Sequence, residues 1–296
     1  MPREPKQITR RKLQFFFGLV LAGILYAQFQ LNDDPEVILT QRTPRVLAAE
    51  TVHVDPFEKM IRRDPLSALK DARDRHLRTV SDYECVMVKQ ELLESGMTDE
   101  QEIKVKYRQA PYSVYMDWIR NPGLAARVLY VKGKWTNAKA KNPDERELAV
   151  AQPGKIAQLF VKSLKQPVRG SLAKDASRRY LDEFGFAKTL DLLINYCDVA
   201  KSKDELKLEL VGESHFDGRP VWVVRRTLPY TDEAGFYPDR TAEIYIDKEY
   251  RVPVAVYCFS DDAKDPKHLL GKYEYRDIRF GVGLTDKDFE PKTYGM

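Results

Sequence analysis

From Tyr83 onward the chain repeatedly alternates apolar and polar residues, which is the pattern of β-strands with one buried face. Ile103, Val105 and Tyr107 show it clearly, because charged residues stand between them. Short connections such as Asp217-Gly218 favour antiparallel neighbours. The pattern also predicts strands at 127–132, 134–139, 205–211, 219–228, 240–247, 251–259 and 269–280. A long antiparallel meander is therefore expected.

The sequence also predicts helices, both before the first strand and between the two halves of the meander. Asp64 is placed to cap a helix, and Pro65 to occupy its first turn. Residues 171–183 and, more strongly, residues 184–200 space their apolar side chains as a helix does. The elements together predict an α+β fold, with helices at the start and in the middle of the meander.

The closing stretch, Tyr273–Pro291, contains aspartates that suit either a metal site or the end of a structural sheet. Asp286 and Asp288 follow a glycine turn, where carboxylates usually face solvent or cap backbone amides. Before them the apolar residues change parity near Arg276-Asp277, which indicates the bulge that a curled sheet requires. The stretch is therefore interpreted as a closing strand, with Phe289 packing back as an anchor.

The N-terminus carries the signature of export. The first twelve residues account for all of the formal net charge of +4, so the remainder has no overall charge to favour nucleic acid as a partner. An apolar run, Phe15–Ala27, follows them. Residues 1–31 are predicted to be a signal peptide or signal-anchor helix, and residues 32–55 a flexible tether. The weak cleavage signals favour an inner-membrane anchor facing the periplasm, or a periplasmic protein if the segment is cleaved.

Motifs for catalysis are missing from the sequence. There is no G-x-S-x-G, no phosphate-binding glycine loop, no H-E-x-x-H and no C-x-x-C. His215 stands beside Asp217, but a hairpin turn recruits such polar residues and is the favoured interpretation. No catalytic residue, metal ligand or cofactor is predicted, and the protein is not expected to be an enzyme.

The three cysteines are widely spaced and odd in number. Export permits a disulfide, but the count leaves at least one thiol unpaired within a chain. Cys85, Cys197 and Cys258 each lie in an apolar strand or helix pattern, so buried and inert thiols are expected.

Two predicted strands are apolar on both faces. Val221–Val224 reads V-W-V-V, and Val252–Phe259 reads V-P-V-A-V-Y-C-F. Such strands need cover on both sides, either from packed layers or from a ligand cavity on one side. Ordinary core packing is the simpler explanation, and the cavity requires a further reason.

Several segments supply that reason by resemblance. Glu243–Tyr257 and Tyr273–Phe289 resemble strands of the LolA and LolB type of lipoprotein-carrier superfamily. Segments 112–119, 127–135 and 178–186 are similar to a family of exported bacterial proteins known only as a domain of unknown function. The resemblance spans about residues 60–291.

This resemblance implies a strongly curved antiparallel sheet, an unclosed β-barrel, with helices against its concave face. The domain would cover residues 56–296, with a helical insert at about 171–200. Within it, the helix Phe186–Cys197 would be the plug or lid. In the carriers that space holds acyl chains. The cavity-lining residues that the resemblance implies are Val114, Met116, Trp118, Phe186, Leu190, Leu193, Ile194, Ile244 and Ile246.

The sequence is therefore consistent with two alternative functions. The first is an exported, non-enzymatic envelope protein that binds a lipid, lipoprotein acyl chains or another apolar ligand. The alternative is a structural or protein-interaction module of the envelope, whose core is filled by its own side chains and holds no ligand. Neither includes a nucleic-acid partner.

Overall fold

The structure is a computed structural model that describes residues 55–154, 161–232, 234–262 and 265–296. The predicted signal or anchor segment 1–31 and the tether residues 32–54 lie outside the described residues. Within the described ranges, no helix has the length and apolar character needed to cross a membrane.

The described chain forms one large antiparallel sheet. The strands are β1 (Asp82–Leu93), β2 (Gly96–Met97), β3 (Gln101–Arg108), β4 (Ser113–Arg120), β5 (Ala125–Val131), β6 (Leu148–Pro153), β7 (Leu164–Pro167), β8 (Lys207–Phe216), β9 (Arg219–Thr227), β10 (Thr241–Asp247), β11 (Pro253–Phe259) and β12 (Leu269–Phe280). Their order is β7-β6-β5-β4-β3-β1-β12-β11-β10-β9-β8, and β2 pairs with β1. Each neighbouring pair is antiparallel, as the short connections predicted.

Within the described residues, four α-helices accompany the sheet. They are α1 (Pro56–Arg63), α2 (Pro65–Thr79), α3 (Ser171–Ala176) and α4 (Phe186–Ser202). The carboxylate of Asp64 accepts a hydrogen bond from the backbone N–H of Ser67 at 3.1 Å, so the predicted cap and proline start of α2 are confirmed. The large antiparallel sheet and the helices confirm an α+β fold.

Two buried clusters hold the helices to the sheet. In the first, α1, α2 and α4 pack on the face of β9 and β10 that carries Trp222, Val224 and Ile244. In the second, Phe186 at the start of α4 enters an aromatic group on the inner face of β1, β3 and β4. Val221 and Val223 join the second cluster, so β9 is covered on both faces, as its sequence requires.

His76 on α2 is buried beside Phe186 of the second cluster. Its burial predicts that the stability of the protein depends on pH. Burial and the nearby charge of Arg75 lower the pKa of His76 from 6.5 to about 4. The neutral ring is therefore favoured in the folded state, and its stabilisation is present above pH 6.5 and is lost as the pH falls towards 4. The free energy of unfolding is expected to fall by about 2 kcal/mol between pH 7 and pH 5.

Denaturant titrations at pH 7, 6 and 5 measure this dependence. The matched variant His76→Leu removes the titrating ring and should show a much flatter profile over the same window. A variant that loses stability as steeply as the wild type would assign the dependence to other groups.

One predicted element is wrong, and one predicted helix is shorter than expected. Residues 134–139 do not form a strand, and only an isolated bridge joins Thr136 to Glu147. Apart from Trp135 this segment has no large apolar side chain, so it has little apolar surface to bury against the sheet. The predicted helix 171–183 ends at Ala176, because the buried carboxylate of Glu91 accepts hydrogen bonds from Ser177 and from the backbone N–H of Arg178. These bonds fix the chain outside a helix.

The closing strand behaves as predicted. The register of β1 against β12 shifts between Glu84 and Val86, opposite Asp277, whose φ of 51° marks the bulge. Phe289 is 1% exposed and packs under β4 and β5. Asp288 accepts hydrogen bonds from the backbone and hydroxyl of Thr285, both at 3.0 Å. Asp288 is therefore a structural cap, whereas Asp286 is largely exposed and pairs with Arg108 at 2.8 Å.

Candidate functional site

The inner face of the sheet does not pack completely against the helices but leaves a cavity of about 440 Å³. Strands from both halves of the sheet contribute to its wall, from β6 and β7 at one edge to β9 and β11 towards the other. The cavity therefore extends across strands that are far apart in the order of the sheet. On the other side, α4 contributes Thr189, Leu192, Leu193 and Tyr196, and α3 contributes Leu172 and Ala173.

The wall is mainly apolar. The strands supply Met87, Ile103, Met116, Trp118, Val128 and Val256. Small residues, among them Ala149 and Ala151 on β6, leave the space that larger side chains would occupy. Leu124 and Leu172 line the cavity and are 58% and 51% exposed, so they mark its opening.

The nine residues predicted to line a cavity separate into two groups. Met116, Trp118 and Leu193 are on the cavity wall. The other six are packed in the two buried clusters: Val114 and Phe186 in the aromatic one, and Leu190, Ile194, Ile244 and Ile246 between the helices and the sheet. For Ile244 and Ile246 the reason is that the inner face at β10 is covered by helices.

Sequence reasoning did not identify the polar groups of the cavity. Lys89, which lines the cavity, and Glu91, which pairs with it, follow Met87 on the inward-facing positions of β1. Their side chains are 8% and 1% exposed. Lys89 Nζ lies 2.7 Å from Glu91 Oε2 and 3.0 Å from Ser177 Oγ. The Tyr273 hydroxyl donates to Glu91 Oε1 at 2.8 Å. Burial raises the pKa of Glu91, but Lys89 and these hydrogen bonds outweigh it, so the pKa is lowered and the carboxylate is ionised.

A second buried ion pair lies on the same wall. Arg226 Nη2 donates to both carboxylate oxygens of Asp239 at 2.8 Å, and each residue is 1% exposed. Burial lowers the pKa of Arg226, but the charge of Asp239 outweighs burial and raises it. The guanidinium therefore remains charged in an apolar setting.

The remaining reactive groups are held in unreactive forms. Cys85, Cys197 and Cys258 are buried free thiols, as predicted. Burial raises the pKa of Cys258 to about 12, so this thiol is protonated at neutral pH. Within the described ranges, no three histidine, cysteine or acidic side chains lie together in a way that could hold a metal ion. The site is thus an apolar cavity with a cluster of ion pairs on its wall.

A known protein family matches the part of the chain that forms the sheet and the cavity. A family model described as "Protein of unknown function (DUF1571)" matches residues 80–294. The chain belongs to this family. The match includes all strands of the described sheet and the two helices on the cavity wall. The predicted membership in a domain-of-unknown-function family is therefore confirmed.

Solved structures provide distant similarities. A chain of the MucA/MucB complex from Pseudomonas aeruginosa aligns with 76% of this chain and 60% of its own length, at 14% identity and a TM-score of 0.41. A putative outer membrane lipoprotein-sorting protein domain from Vibrio parahaemolyticus aligns over 78% and 98%, at 11% identity and 0.36. The lipoprotein LppX of Mycobacterium tuberculosis aligns over 75% and 98%, at 13% identity and 0.36. This chain thus spans about three fifths of the first of these proteins. No curated protein matches the sequence.

Proposed function

We propose that this protein is an exported, non-enzymatic component of the cell envelope that binds a lipid or another apolar ligand in the cavity. The observation that carries the proposal is the cavity of about 440 Å³ with apolar walls. This volume falls in the range of roughly 300–1,000 Å³ that is typical of ligand pockets. Export rests on the sequence of residues 1–31, whose basic start and apolar run suit the signal peptide or inner-membrane anchor predicted above.

An apolar ligand would gain free energy from entering this space. Cavities lined by apolar side chains hold water poorly and accept apolar molecules. Each methylene group transferred from water into such a wall contributes about 0.8 kcal/mol. We assign the ligand contacts to Met116, Trp118 and Leu193, and the support of the wall to the packed residues behind them.

The state of the polar groups supports a binding function rather than catalysis. Glu91 and Asp239 are engaged by ion pairs, and the thiol of Cys258 is protonated. A general base needs an available lone pair next to the substrate, and a nucleophile needs an adjacent base or a lowered pKa to activate it. These groups instead hold one another in place.

A protein-interaction module is the second candidate, and one observation favours it. Leu124 and Leu172 expose more than half of their surface at the opening of the cavity. Exposed apolar side chains grouped at one place are typical of surfaces that bind partners. In that case the opening would bind a protein, and the cavity behind it would hold no ligand.

The fluorescent probe N-phenyl-1-naphthylamine, which is neutral and apolar, tests the two functions. Binding by the full chain supports the cavity proposal, and the variant Ala151→Phe, which places a ring in the cavity, is expected to bind the probe about tenfold more weakly. The loss of two methylene-sized contacts is enough for this factor. The matched control is Ala138→Phe, on an exposed loop residue outside the wall.

Two results would contradict the ligand function. One is the absence of probe binding by the wild-type chain. The other is equal binding by Ala151→Phe and Ala138→Phe, which would place the probe elsewhere on the protein. Mass spectrometry of small molecules that co-purify with the chain gives an independent reading of the natural ligand.

A further inference from the structure

The register of the sheet brings the two buried ion pairs into one region of the inner face. Arg226, Ala242, Cys258, Gly271 and Glu91 are successive cross-strand partners on β9, β10, β11, β12 and β1. We call these five residues the end row. The charged residues stand at its two ends, and the three residues between them are small. Of these three, Cys258 lines the cavity, whereas Ala242 is packed in the first cluster and the ring of Tyr273 covers Gly271. The space beside the charges therefore lies over Cys258.

Arg179 lies on the cavity wall beside that space. It lines the cavity, and its guanidinium is close enough to Cys258 and Tyr273 to interact with both electrostatically. Within the described ranges, this guanidinium makes no hydrogen bond or ion pair. Lys89 is neutralised by Glu91 and Arg226 by Asp239, so Arg179 leaves the region with a positive charge that no described carboxylate balances.

Arg226 has donors without acceptors. Its Nη2 is used by Asp239, whereas Nε and Nη1 are buried and have no hydrogen-bond partner. Unpaired N–H groups of a buried, charged side chain are costly, and they usually indicate a water or ligand atom that completes the site. Lys89 likewise uses two of its three donors, on Glu91 and Ser177.

We propose that the cavity takes an amphiphile with an anionic headgroup, a carboxylate or a phosphate, which Arg179 binds between Lys89 and Arg226. The proposal rests on the proposed ligand function and specifies its chemical class. An anionic group over the end row would balance the charge of Arg179 and supply acceptors for the unused donors. The apolar chain would extend along Met116 and Trp118. Such hydrogen bonds to charged groups are strengthened by the low dielectric of the cavity.

Displacement of N-phenyl-1-naphthylamine from the full chain tests the headgroup. The competitors are palmitate, hexadecyl phosphate and hexadecanol, each below the concentration at which it aggregates; they share a chain length and differ in the headgroup. We expect at least one anionic competitor to bind about tenfold more tightly than hexadecanol, the effect of about one charge-assisted hydrogen bond. The comparison of palmitate with hexadecyl phosphate then distinguishes the two headgroups.

Variants of Arg179 assign the preference to this residue. Arg179→Gln should lose the preference for the anionic competitors and retain the affinity for hexadecanol, whereas Arg179→Lys should keep most of the preference. The control is Arg63→Gln, at an exposed position on α1 that does not line the cavity. Retained probe binding shows that each variant is folded.

Equal affinity for all three competitors would overturn the headgroup proposal, as would an undiminished preference in Arg179→Gln. Both results require that the neutral probe binds, so they leave the proposed ligand function intact. If the probe does not bind the wild-type chain at all, the proposed function itself fails. The two failures are therefore distinguishable in one set of measurements.

Discussion

Replacement of Asp239 by asparagine is expected to lower the free energy of unfolding by about 3–5 kcal/mol. The substitution keeps the shape of the side chain and removes its charge. Arg226 would then carry an uncompensated positive charge at a position that is 1% exposed. Because two of its guanidinium nitrogens already lack an acceptor, no other described group is placed to take over the pairing.

An exposed ion pair gives the matched control. Asp262 pairs with Arg240 at 3.1 Å, with side-chain exposures of 63% and 35%. Solvent screens such a pair, so Asp262→Asn should cost less than about 1 kcal/mol. Chemical denaturation at pH 7 and constant salt concentration measures both variants.

The double variant Arg226→Met/Asp239→Leu separates the charge from the packing. Replacing a buried ion pair by apolar residues of similar size is often neutral or stabilising. The double variant should therefore be more stable than Asp239→Asn alone. If it is equally unstable, the loss comes from packing around these positions and the uncompensated charge is not its cause.

The strands and their inward faces were predictable because a strand has a strict period of two. The parity that places Met87 inward also places Lys89 and Glu91 inward, and the parity of Trp222 and Val224 does the same for Arg226. The signal for the polar groups was thus present in the sequence. It was missed because only apolar residues were considered as lining.

The division between cavity and packed core could not be read in this way. Periodicity shows which face of a strand or helix is buried, but not which element covers it. Ile244 faces inward on β10 as predicted, yet α1, α2 and α4 pack over that region. Met116 faces inward on β4, where the helices leave the face open. The difference depends on the position of α4 across the sheet, a long-range feature that no local pattern contains.

For Phe186, too, periodicity predicted burial but not whether the side chain faces a cavity or a packed core. This residue gives the second prediction with a large expected effect. It was expected to line a ligand cavity, and it is fully buried at the centre of an aromatic cluster. Its ring centroid lies 4.8 Å from that of Tyr83, 5.0 Å from Tyr275 and 5.6 Å from His76. Phe186→Ala would leave a void among these rings, since such clusters relax only in part.

The expected loss for Phe186→Ala is about 3–5 kcal/mol in the free energy of unfolding. Phe236→Ala removes the same atoms from a side chain that is 60% exposed and meets the rings of Tyr196 and Tyr237, so it should cost about 1.5 kcal/mol or less. Denaturant unfolding of both variants measures the difference. A small loss at Phe186 would mean that the cluster closes around the missing ring. It would also support the original expectation that Phe186 can line a ligand cavity, because a cluster that rearranges easily could rearrange around a ligand as well.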